Sequence, residues 1–172
     1  MALSQKDKMF FGSDKKDKVY NILFCGIGGQ GVLKAAEVCA TAAMLDGYHV
    51  KKSEVHGMAQ RGGSVESHLR FGKEVFSPLI PKGEADFLVP FYKDEALRLE
   101  SFLKVNGLNL LETLKDAQKE FLNKRFINTY ILGVLSKSLP ITKESWIKAI
   151  EYEFESKNLT ENKDIFLMGR GE

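Results

Sequence analysis

Cysteine is scarce in this sequence, since the 172 residues include only Cys25 and Cys39. A disulfide-stabilised small protein needs several pairs, and an iron–sulfur cluster or a structural zinc ion takes about four protein ligands. The count therefore excludes a disulfide framework and predicts that this chain alone holds neither a cluster nor a structural zinc. Low cysteine content also favours a reducing compartment, so we expect a cytoplasmic protein.

Long apolar runs and an excess of one charge are also missing. No stretch approaches the roughly 18 apolar residues of a membrane-spanning helix, so we expect no membrane partner. The chain has 25 basic and 23 acidic residues, and five of the former and three of the latter lie in residues 1–18. The remaining chain is balanced at 20 of each. Because a neutral body has no field that attracts polyanions, nucleic acid is not an expected partner.

Length and composition predict one domain. A chain with 44% hydrophobic and 28% charged residues is an ordinary globular sequence, and at 172 residues it can bury a self-sufficient core. Residues 1–18 are rich in Lys, Asp and Ser, and we interpret them as a mobile leader whose Met9–Phe11 island could instead anchor on a partner. Residues 19–172 are expected to form the single domain.

The order of apolar runs and glycines predicts an α/β fold. Strands are expected at 19–25, 48–55, 64–71, 85–91 and, weakly, 108–111 after a turn at 106–107; helices are expected at 32–46, 93–104, 113–123, 127–138 and 143–154. This order predicts a three-layer Rossmann-like domain with a mainly parallel sheet and helices on both faces. Strand 64–71 follows its predecessor through a loop too short for a crossover, so we expect it to be antiparallel.

The first candidate site is Gly26-Ile27-Gly28-Gly29-Gln30-Gly31, which matches GxGxxG between a predicted strand and a predicted helix. Glycines there permit a tight turn, and the free N–H groups of the helix N-terminus attract an anion. An NAD-binding domain usually also has an acidic residue about 20 positions after the glycine motif. This chain has Lys51 and Lys52 there. Three interpretations stay open: close packing of helix and strand, contact with an anion or a cofactor phosphate, and NAD binding, which the lysines disfavour. The candidate cofactor-binding residues are Gly28, Gly29, Gln30 and Gly31.

The second candidate site is the polar, glycine-rich stretch 53–64, SEVHGMAQRGGS, between two predicted strands. In an open α/β sheet the loop after a strand lies on the ligand side, so we expect it to adjoin the first site. The candidate cofactor-facing residues are Ser53, His56, Gln60, Arg61, Gly62 and Gly63. No second His or Cys stands at metal-ligand spacing and no nucleophile is paired with His56, so the sequence shows no complete catalytic set. The alternative is a loop held by its own hydrogen bonds.

Other residues are expected to have structural roles. Both cysteines are interpreted as inert buried thiols. His49 and His68 are interpreted as surface histidines, and Trp146 as a core residue that packs near Ile150. Asn128 and Gly133 are interpreted as a close helix contact.

Together the Gly28–Gly31 loop, the 53–64 stretch and the segment Phe76-Ser77-Pro78-Leu79-Ile80-Pro81, followed by Gly83, Ala85 and Asp86, resemble the gamma-type domain of 2-oxoacid:ferredoxin oxidoreductases. The sequence HGMAQRGG is similar to the beta subunit of the indolepyruvate-type enzymes. Agreement continues at Glu95-Ala96-Leu97-Arg98, at Asn128 with Gly133, and at Asn162, Phe166 and Gly169. The resemblance covers residues 19–170, and it is strongest over 19–98.

The resemblance implies that this chain and a second, catalytic chain have different roles. Thiamine diphosphate, Mg²⁺ and 4Fe–4S clusters would belong to a catalytic alpha subunit, which decarboxylates the oxoacid and passes electrons to ferredoxin. The gamma-type domain would pack against that subunit near its active site, with coenzyme A as a co-substrate, and would be inactive alone. One departure is that residues 105–123 are shorter than the family pattern, so a sheet strand is expected to be missing.

Two other functions remain open at this point. The GxGxxG context alone is compatible with a stand-alone Rossmann-like nucleotide-binding module or oxidoreductase. The third hypothesis is that the chain is purely a scaffold and that its glycine loop is vestigial.

Overall fold

The structure is a computed structural model that describes residues 17–58, 62–154 and 156–172. Its strands are β1 (Tyr20–Ile27), β2 (His49–His56), β3 (Ser64–Gly72), β4 (Ala85–Pro90) and β5 (Leu103–Asn109). Its helices are α1 (Val32–Leu45), α2 (Lys93–Leu99), α3 (Leu111–Glu120), α4 (Ile127–Ser136), α5 (Lys143–Glu153) and α6 (Ser156–Arg170). Short 3₁₀ turns, Glu100–Phe102 and Lys124–Phe126, precede β5 and α4. Most of the leader assigned to residues 1–18 lies outside the described residues.

The five strands form one sheet in the order β2-β3-β1-β4-β5. Strand β3 is antiparallel to both of its neighbours, whereas β4 is parallel to β1 and β5 is parallel to β4. Four strands therefore share one direction, which confirms a mainly parallel but mixed sheet. The antiparallel direction predicted for β3 is also confirmed.

Helices cover both faces of the sheet, but unequally. Ile22 and Phe24 of β1 point into the larger core, to which α1, α3, α4, α5 and α6 all contribute. Leu23 and Cys25 point to the opposite face, where Ile80 and the α2 residue Leu99 complete a small cluster. This alternation is the period-2 pattern of a strand buried on both sides. The predicted three-layer architecture is confirmed.

Strand β5 runs through the predicted turn at 106–107, so that prediction is wrong. The weak strand predicted at 108–111 exists, but it begins earlier, at Leu103, and shares only residues 108 and 109 with the prediction. Gly107 lies within the strand because its backbone approaches β4 closely: a Cβ there would lie 2.8 Å from the carbonyl oxygen of Ala85. The β4–β5 register shifts between Ala85 and Phe87. Glycine is common where the register of a strand is irregular. Here the local preference of Gly107 for a turn is outweighed by pairing with β4, which is distant in the sequence. The helix predicted over 93–104 accordingly ends early, at Leu99.

Helix α6 was not predicted, because its run of polar and charged residues obscures the apolar face. Phe166 of this helix is fully buried beside Trp146 of α5, with ring centroids 5.6 Å apart. The predicted core role of Trp146 is therefore confirmed. Among the described residues, no helix combines the length and the apolar character that crossing a membrane requires.

Candidate functional site

The loop between β1 and α1 is built by its glycines and by Gln30. Gly29 and Gly31 have positive φ angles of 90° and 77°, which other residues adopt only at a cost. The side-chain oxygen Oε1 of Gln30 accepts a hydrogen bond from the N–H of Ile27 at 2.9 Å. Gln30 therefore closes the turn, and its side-chain oxygen is already engaged within the loop.

The second predicted loop is the tip of the β2–β3 hairpin, and it touches the first. The N–H of Gly28 donates to the carbonyl oxygen of Gly63 at 3.0 Å. A Cβ on Gly28 would lie 3.6 Å from the backbone nitrogen of Gly62. At the base of the tip, the N–H of Gly57 donates to the carbonyl of Ser64 at 2.7 Å. The predicted contact between the two loops is therefore confirmed.

The β1–α1 loop separates two clefts. The first, here called the basic cleft, has a volume of about 550 Å³ and is lined by Gly29, Gly31, Lys34, Lys124, Arg125 and Asn128, among others. The second, here called the hairpin cleft, has a volume of about 360 Å³ and extends from Gly28 and Gly29 to His56 and Val65. The loop residues Gly29 and Gly31 line both clefts.

The described residues at the end of β2 are exposed. His56 is exposed, the side chain of Val55 is 44% exposed, and Met58 is fully exposed. Met58 is therefore an exposed apolar side chain just beyond the end of β2, whereas Val55 lies on the face of the sheet opposite to His56.

Helix α1 begins without a capping side chain. Its N-cap is Gly31, no acidic residue lies in its first turn, and its first intrahelical bond runs from the N–H of Ala35 to the carbonyl of Gly31. The N–H groups of residues 32–34 consequently have no intrahelical acceptor. The positive end of the helix therefore faces the two clefts with its donors free of any cap from its own helix.

Asn128, at the first turn of α4, lies directly against this N-terminus. Its side-chain oxygen accepts a hydrogen bond from the N–H of Thr129 at 2.8 Å, and the Thr129 hydroxyl donates to Oδ1 of Asn162 at 2.7 Å. The nitrogen Nδ2 of Asn128 would lie 2.5 Å from a Cβ on Gly31. Gly31 is therefore required both for its φ angle and for the room that it leaves to Asn128.

A partly buried ionic network supports the start of β3. The Ser64 hydroxyl donates to Glu95 at 2.8 Å, and Arg98 donates to both Glu95 and Glu66 at 2.6 Å. Hydrogen bonds from His68 and Arg98 hold the pKa of Glu66 below its usual value, against the opposing effect of burial. Bonds to Glu95 and Glu66 raise the pKa of Arg98, so it stays charged. The network ties α2 to the strand that follows the hairpin tip.

His68 belongs to this network, so its interpretation as a surface histidine is wrong. The residue is only 4% exposed; its Nδ1 accepts from the N–H of Ile80 at 3.1 Å, and its Nε2 lies 3.5 Å from Glu66. Residues 73–84 and α2 cover this face of β3, and strand alternation alone cannot show such a cover. His49 is exposed at the start of β2, as predicted, and accepts from the N–H of Val75.

Both cysteines are buried and separate from the clefts. Cys25 lies in β1 and Cys39 in α1, and each is fully buried. Burial, with a smaller contribution from Glu95, raises the pKa of the Cys25 thiol to about 12, and burial raises the pKa of Cys39 as well. The interpretation of both as inert core thiols is therefore supported.

The remaining predicted residues are not all brought together. Ser53 lies half-buried within β2, opposite His68, three residues or about 10 Å along the strand from His56. Gln60 and Arg61 lie outside the described residues. Lys52 contacts Glu37 and Glu54 rather than either cleft. Because β3 lies between β2 and β1, β2 is not the neighbour of β1 that it is in an NAD-binding fold.

Sequence reasoning missed the cations of the basic cleft. Lys124 and Arg125 form the 3₁₀ turn that leads into α4. Basic residues at the start of a helix oppose its dipole, whereas α3 shows the ordinary arrangement, with Glu112 in its first turn and Lys119 in its last. The sequence feature that could have identified these cations is a pair of basic residues directly before a predicted helix.

The described residues do not suit an iron–sulfur cluster or a bound metal. They contain no group of three or more His, Cys, Asp or Glu side chains placed to hold a metal ion. The two thiols of the chain lie on opposite faces of the sheet.

The comparisons with known proteins agree with this architecture. The family model described as pyruvate ferredoxin/flavodoxin oxidoreductase matches residues 21–117. Indolepyruvate oxidoreductase subunit IorB of Thermococcus kodakarensis is 48% identical over 91 residues, which cover 53% of this chain and 45% of that protein. The match thus spans a little under half of that curated relative.

Solved structures show the same fold. The gamma subunit of a keto/oxoacid ferredoxin oxidoreductase from Geobacter sulfurreducens superposes with a TM-score of 0.71 at 22% identity, over 88% of this chain and 94% of that one. A 2-oxoglutarate:ferredoxin oxidoreductase from Magnetococcus marinus, with 2-oxoglutarate, coenzyme A and succinyl-CoA bound, gives 0.74 at 17% identity, over 90% of this chain and 31% of that one. The family model covers more than half of the sequence, from β1 into α3. This chain therefore belongs to the pyruvate ferredoxin/flavodoxin oxidoreductase family.

Proposed function

We propose that this chain is the gamma-type subunit of an indolepyruvate-type 2-oxoacid:ferredoxin oxidoreductase. The observation that carries the proposal is the 48% identity to an indolepyruvate oxidoreductase subunit over 91 residues. The described residues fit a subunit that supports chemistry on another chain, because they offer two clefts and an exposed loop but no catalytic set. The reaction would be the oxidative decarboxylation of an aryl-2-oxoacid to its acyl-CoA.

The surface that would face the catalytic alpha subunit is the pair of touching loops. It includes Gly28, Gly29, Gly31, His56, Gly62 and Gly63, with Gln60 and Arg61 between them in the sequence. Fully exposed Met58 supplies its apolar part. The Glu66–Arg98–Glu95 network supports the described end of the hairpin tip through Ser64, so this part of the surface is set before a partner binds.

The redox groups would reside in the partner. The catalytic alpha subunit would hold thiamine diphosphate, Mg²⁺ and the 4Fe–4S clusters, since the described residues offer no group of three or more candidate metal ligands. Ferredoxin would receive electrons from the assembled complex. Coenzyme A as a co-substrate is supported by the structural neighbour that carries it. We further propose that residues 19–172 form one domain behind a leader of residues 1–18, and that the complex works in the cytoplasm.

The proposal is tested by assembly and activity. The full chain carries an affinity tag in its own organism, and the captured material is examined by mass spectrometry and for indolepyruvate- and coenzyme A-dependent reduction of ferredoxin. We expect a large thiamine- and cluster-containing chain and this activity. Reduction of ferredoxin by the 172-residue chain alone, or capture without such a chain, would overturn the proposal.

A matched pair of variants tests the surface. Met58→Glu places a charge on the hairpin tip, and Val105→Glu places one on β5, at the opposite edge of the sheet; both native side chains are fully exposed. We expect Met58→Glu to weaken capture of the catalytic chain and Val105→Glu to leave it unchanged. The reverse result would place the interface on the β5 edge and contradict the proposed surface.

The alternative is a stand-alone nucleotide-binding module or oxidoreductase, and the 550 Å³ cleft beside the glycine loop favours it. A volume of this size is within the range of ligand sites in proteins. Titration of the lone chain with NAD(H), NADP(H), FAD and coenzyme A separates the two. Submicromolar binding of a dinucleotide without any partner chain would favour the alternative.

A further inference from the structure

Both ends of one surface segment, residues 75–80, are held by histidine rings. The N–H of Val75 donates to Nδ1 of His49 at 3.1 Å, and the N–H of Ile80 donates to Nδ1 of His68 at 3.1 Å. Val75 and Ile80 are each only 2% exposed. The segment, here called the strap, is therefore anchored at both ends by a buried residue whose backbone bonds to an imidazole.

The middle of the strap is exposed and is held differently. Phe76 is 82% exposed and Leu79 is 53% exposed. Arg70 of β3 donates through Nη1 to the carbonyl oxygens of Ser77 at 3.0 Å and of Leu79 at 3.2 Å. A guanidinium stays charged in proteins, so these middle contacts do not depend on pH. The two end contacts differ, because they involve rings that titrate.

Each end contact requires a neutral ring. A ring nitrogen accepts a hydrogen bond only when it carries no proton, so both imidazoles must hold their proton on Nε2. Protonation adds a hydrogen to Nδ1, which then faces the backbone N–H as a second donor. The hydrogen bond is lost, and a buried N–H such as that of Ile80 is left without its acceptor. Histidine is the side chain that ordinarily changes charge between about pH 5 and pH 8.

The charged groups next to His68 favour a positive ring. Nε2 of His68 lies 3.5 Å from Glu66, and Arg98 of α2 donates both to Glu66 and to Glu95 at 2.6 Å. Hydrogen bonds from His68 and Arg98 hold the pKa of Glu66 below its usual value, so this carboxylate is ionised wherever histidine titrates. A protonated ring would therefore keep its contact with Glu66 and lose the one with Ile80.

The other groups on this face of the sheet are mostly uncharged. Those that face His68 from β1, β2, β3 and the 3₁₀ turn before β5 are Leu23, Cys25, Ser53, Lys51, Arg70 and Phe102. Only Lys51 and Arg70 carry a charge, since burial raises the pKa of the Cys25 thiol to about 12. These two cations lie between the two rings and oppose a positive charge on either.

The surroundings of His49 are different. Lys73 and Glu74, directly before the strap, add one charge of each sign near this ring. Of the two rings, only His68 has a carboxylate within 4 Å among the residues that the structure describes. His49 is also exposed, so water can replace its bond to Val75. The end of the strap at Ile80 should therefore respond more strongly to pH.

We propose that the strap is a pH-sensitive element, fastened at both ends while His49 and His68 are neutral and loosened, chiefly at Ile80, when His68 takes up a proton. The proton comes from solvent and binds Nδ1. Because the bond needs the neutral ring, the fastened form is favoured at higher pH and is lost as the pH falls.

Loosening would change one surface and leave the fold in place. Ile80 completes the small cluster with Leu23 and Leu99, so an open strap would uncover part of that cluster. Exposed Phe76 would lose its fixed position, whereas Arg70 would still hold the middle of the strap to β3. This inference goes beyond the proposed function and does not depend on it, since the lone chain contains every group involved.

Amide hydrogen exchange of the full chain, followed by NMR from about pH 8 to about pH 5, tests the inference. Protection compares the exchange rate of each amide with that of an unfolded chain at the same pH. We expect protection at Ile80 to fall at least about tenfold and protection at Val75 to fall less, because a buried N–H without an acceptor is the more costly.

The matched control is the amide of Gly83, three residues after the strap. Its N–H donates to the carbonyl oxygen of Ser101 at 3.0 Å, an acceptor that does not titrate, so its protection should stay constant. Constant protection at Ile80 would overturn the inference. An equal fall at Ile80 and Gly83 would do so as well, because it would show general destabilisation.

Replacing each histidine by asparagine separates the two ends. The side-chain oxygen of asparagine takes about the place of Nδ1, accepts a hydrogen bond and does not titrate. His68→Asn should abolish the acid-induced loss at Ile80 and keep the smaller loss at Val75, and His49→Asn should do the reverse. An unchanged loss at Ile80 in folded His68→Asn would contradict the role of this ring.

If His68→Asn does not fold, the ring nitrogens of the native chain decide. Their NMR signals should show Nδ1 of both rings without a proton at about pH 8. The loss of protection at Ile80 should then have the same midpoint as the protonation of His68. A proton on Nδ1 of His68 at about pH 8, or two clearly different midpoints, would overturn the inference.

Discussion

Gly133 of α4 and Gly169 of α6 lie in direct backbone contact. A Cβ on Gly133 would lie 2.9 Å from the Cα of Gly169, and one on Gly169 would lie 3.1 Å from the Cα of Gly133. Each would also lie 2.2 Å from a carbonyl oxygen of the opposite helix, that of Phe166 or Tyr130. The close helix contact predicted at Gly133 is thereby confirmed, and its partner is identified.

Gly133→Ala should lower the free energy of unfolding by about 3 kcal/mol, because the added methyl meets backbone that cannot rotate away. The direction of the change in the free energy of unfolding is informative, because replacing glycine by alanine within a helix is otherwise favourable by about 1 kcal/mol. Urea unfolding measures the change. Gly28→Ala is the matched control, since its methyl would meet only an ordinary contact at 3.6 Å. Equal effects of the two substitutions would contradict the close crossing.

Gly31→Ala should destabilise the chain more than Gly29→Ala. Both glycines have positive φ angles, so each substitution should cost about 1–2 kcal/mol from the backbone alone. At Gly29 nothing lies within 4 Å of the new methyl, whereas at Gly31 it would meet Nδ2 of Asn128 at 2.5 Å. Thermal unfolding gives the difference, and the NMR signal of the Asn128 amide should move only in Gly31→Ala. An unmoved signal would contradict the contact.

Glu66 should make stability depend on pH in acid. Hydrogen bonds from His68 and Arg98 lower its pKa in the folded chain, so the unfolded chain binds the proton more readily. The stabilisation is complete above the usual value for Glu, about 4.3, and is lost as the pH falls through the lower folded value.

Glu66→Gln should therefore be less stable than the native chain at neutral pH, and the difference should shrink in acid. Denaturant unfolding at a series of pH values measures it. Glu112→Gln, at an exposed position of α3, should show no comparable dependence. A difference between native and Glu66→Gln that grows as the pH falls would reverse the assigned sign.

The two thiols should be unreactive in the folded chain. Burial raises the pKa of Cys25 to about 12 and also raises that of Cys39, so very little thiolate forms at pH 8. Ellman's reagent should release colour slowly from the native chain and correspond to two thiols per chain after unfolding in guanidinium. Rapid reaction of one thiol in the native chain would contradict its burial.

Local patterns predicted the elements whose contacts are also local. The contact between the two glycine loops and the direction of β3 follow from loop lengths and from the position of loops at strand ends, and both are confirmed. The boundaries of α1 and α5 agree to within one residue, because an apolar face and, for α5, the Thr142 cap mark them.

Features set by distant residues could not be predicted in this way. Gly107 has the local signal of a turn, but pairing with β4 draws it into a strand. His68 alternates outward from the larger core, yet residues 73–84 cover it. The basic cleft joins residues from Gly29 to Asn128, so no single stretch of sequence reveals it.

The β2–β3 hairpin has a consequence for how this family can diversify. Eight paired positions join β2 to β3 and eight more join β3 to β1, so the register is fixed well below the tip. Residues of the tip can then be substituted, or the tip lengthened, without altering the pairing of the strands below it. An ancestral sheet could acquire a new partner by replacing a few residues of one turn, while every strand kept its place.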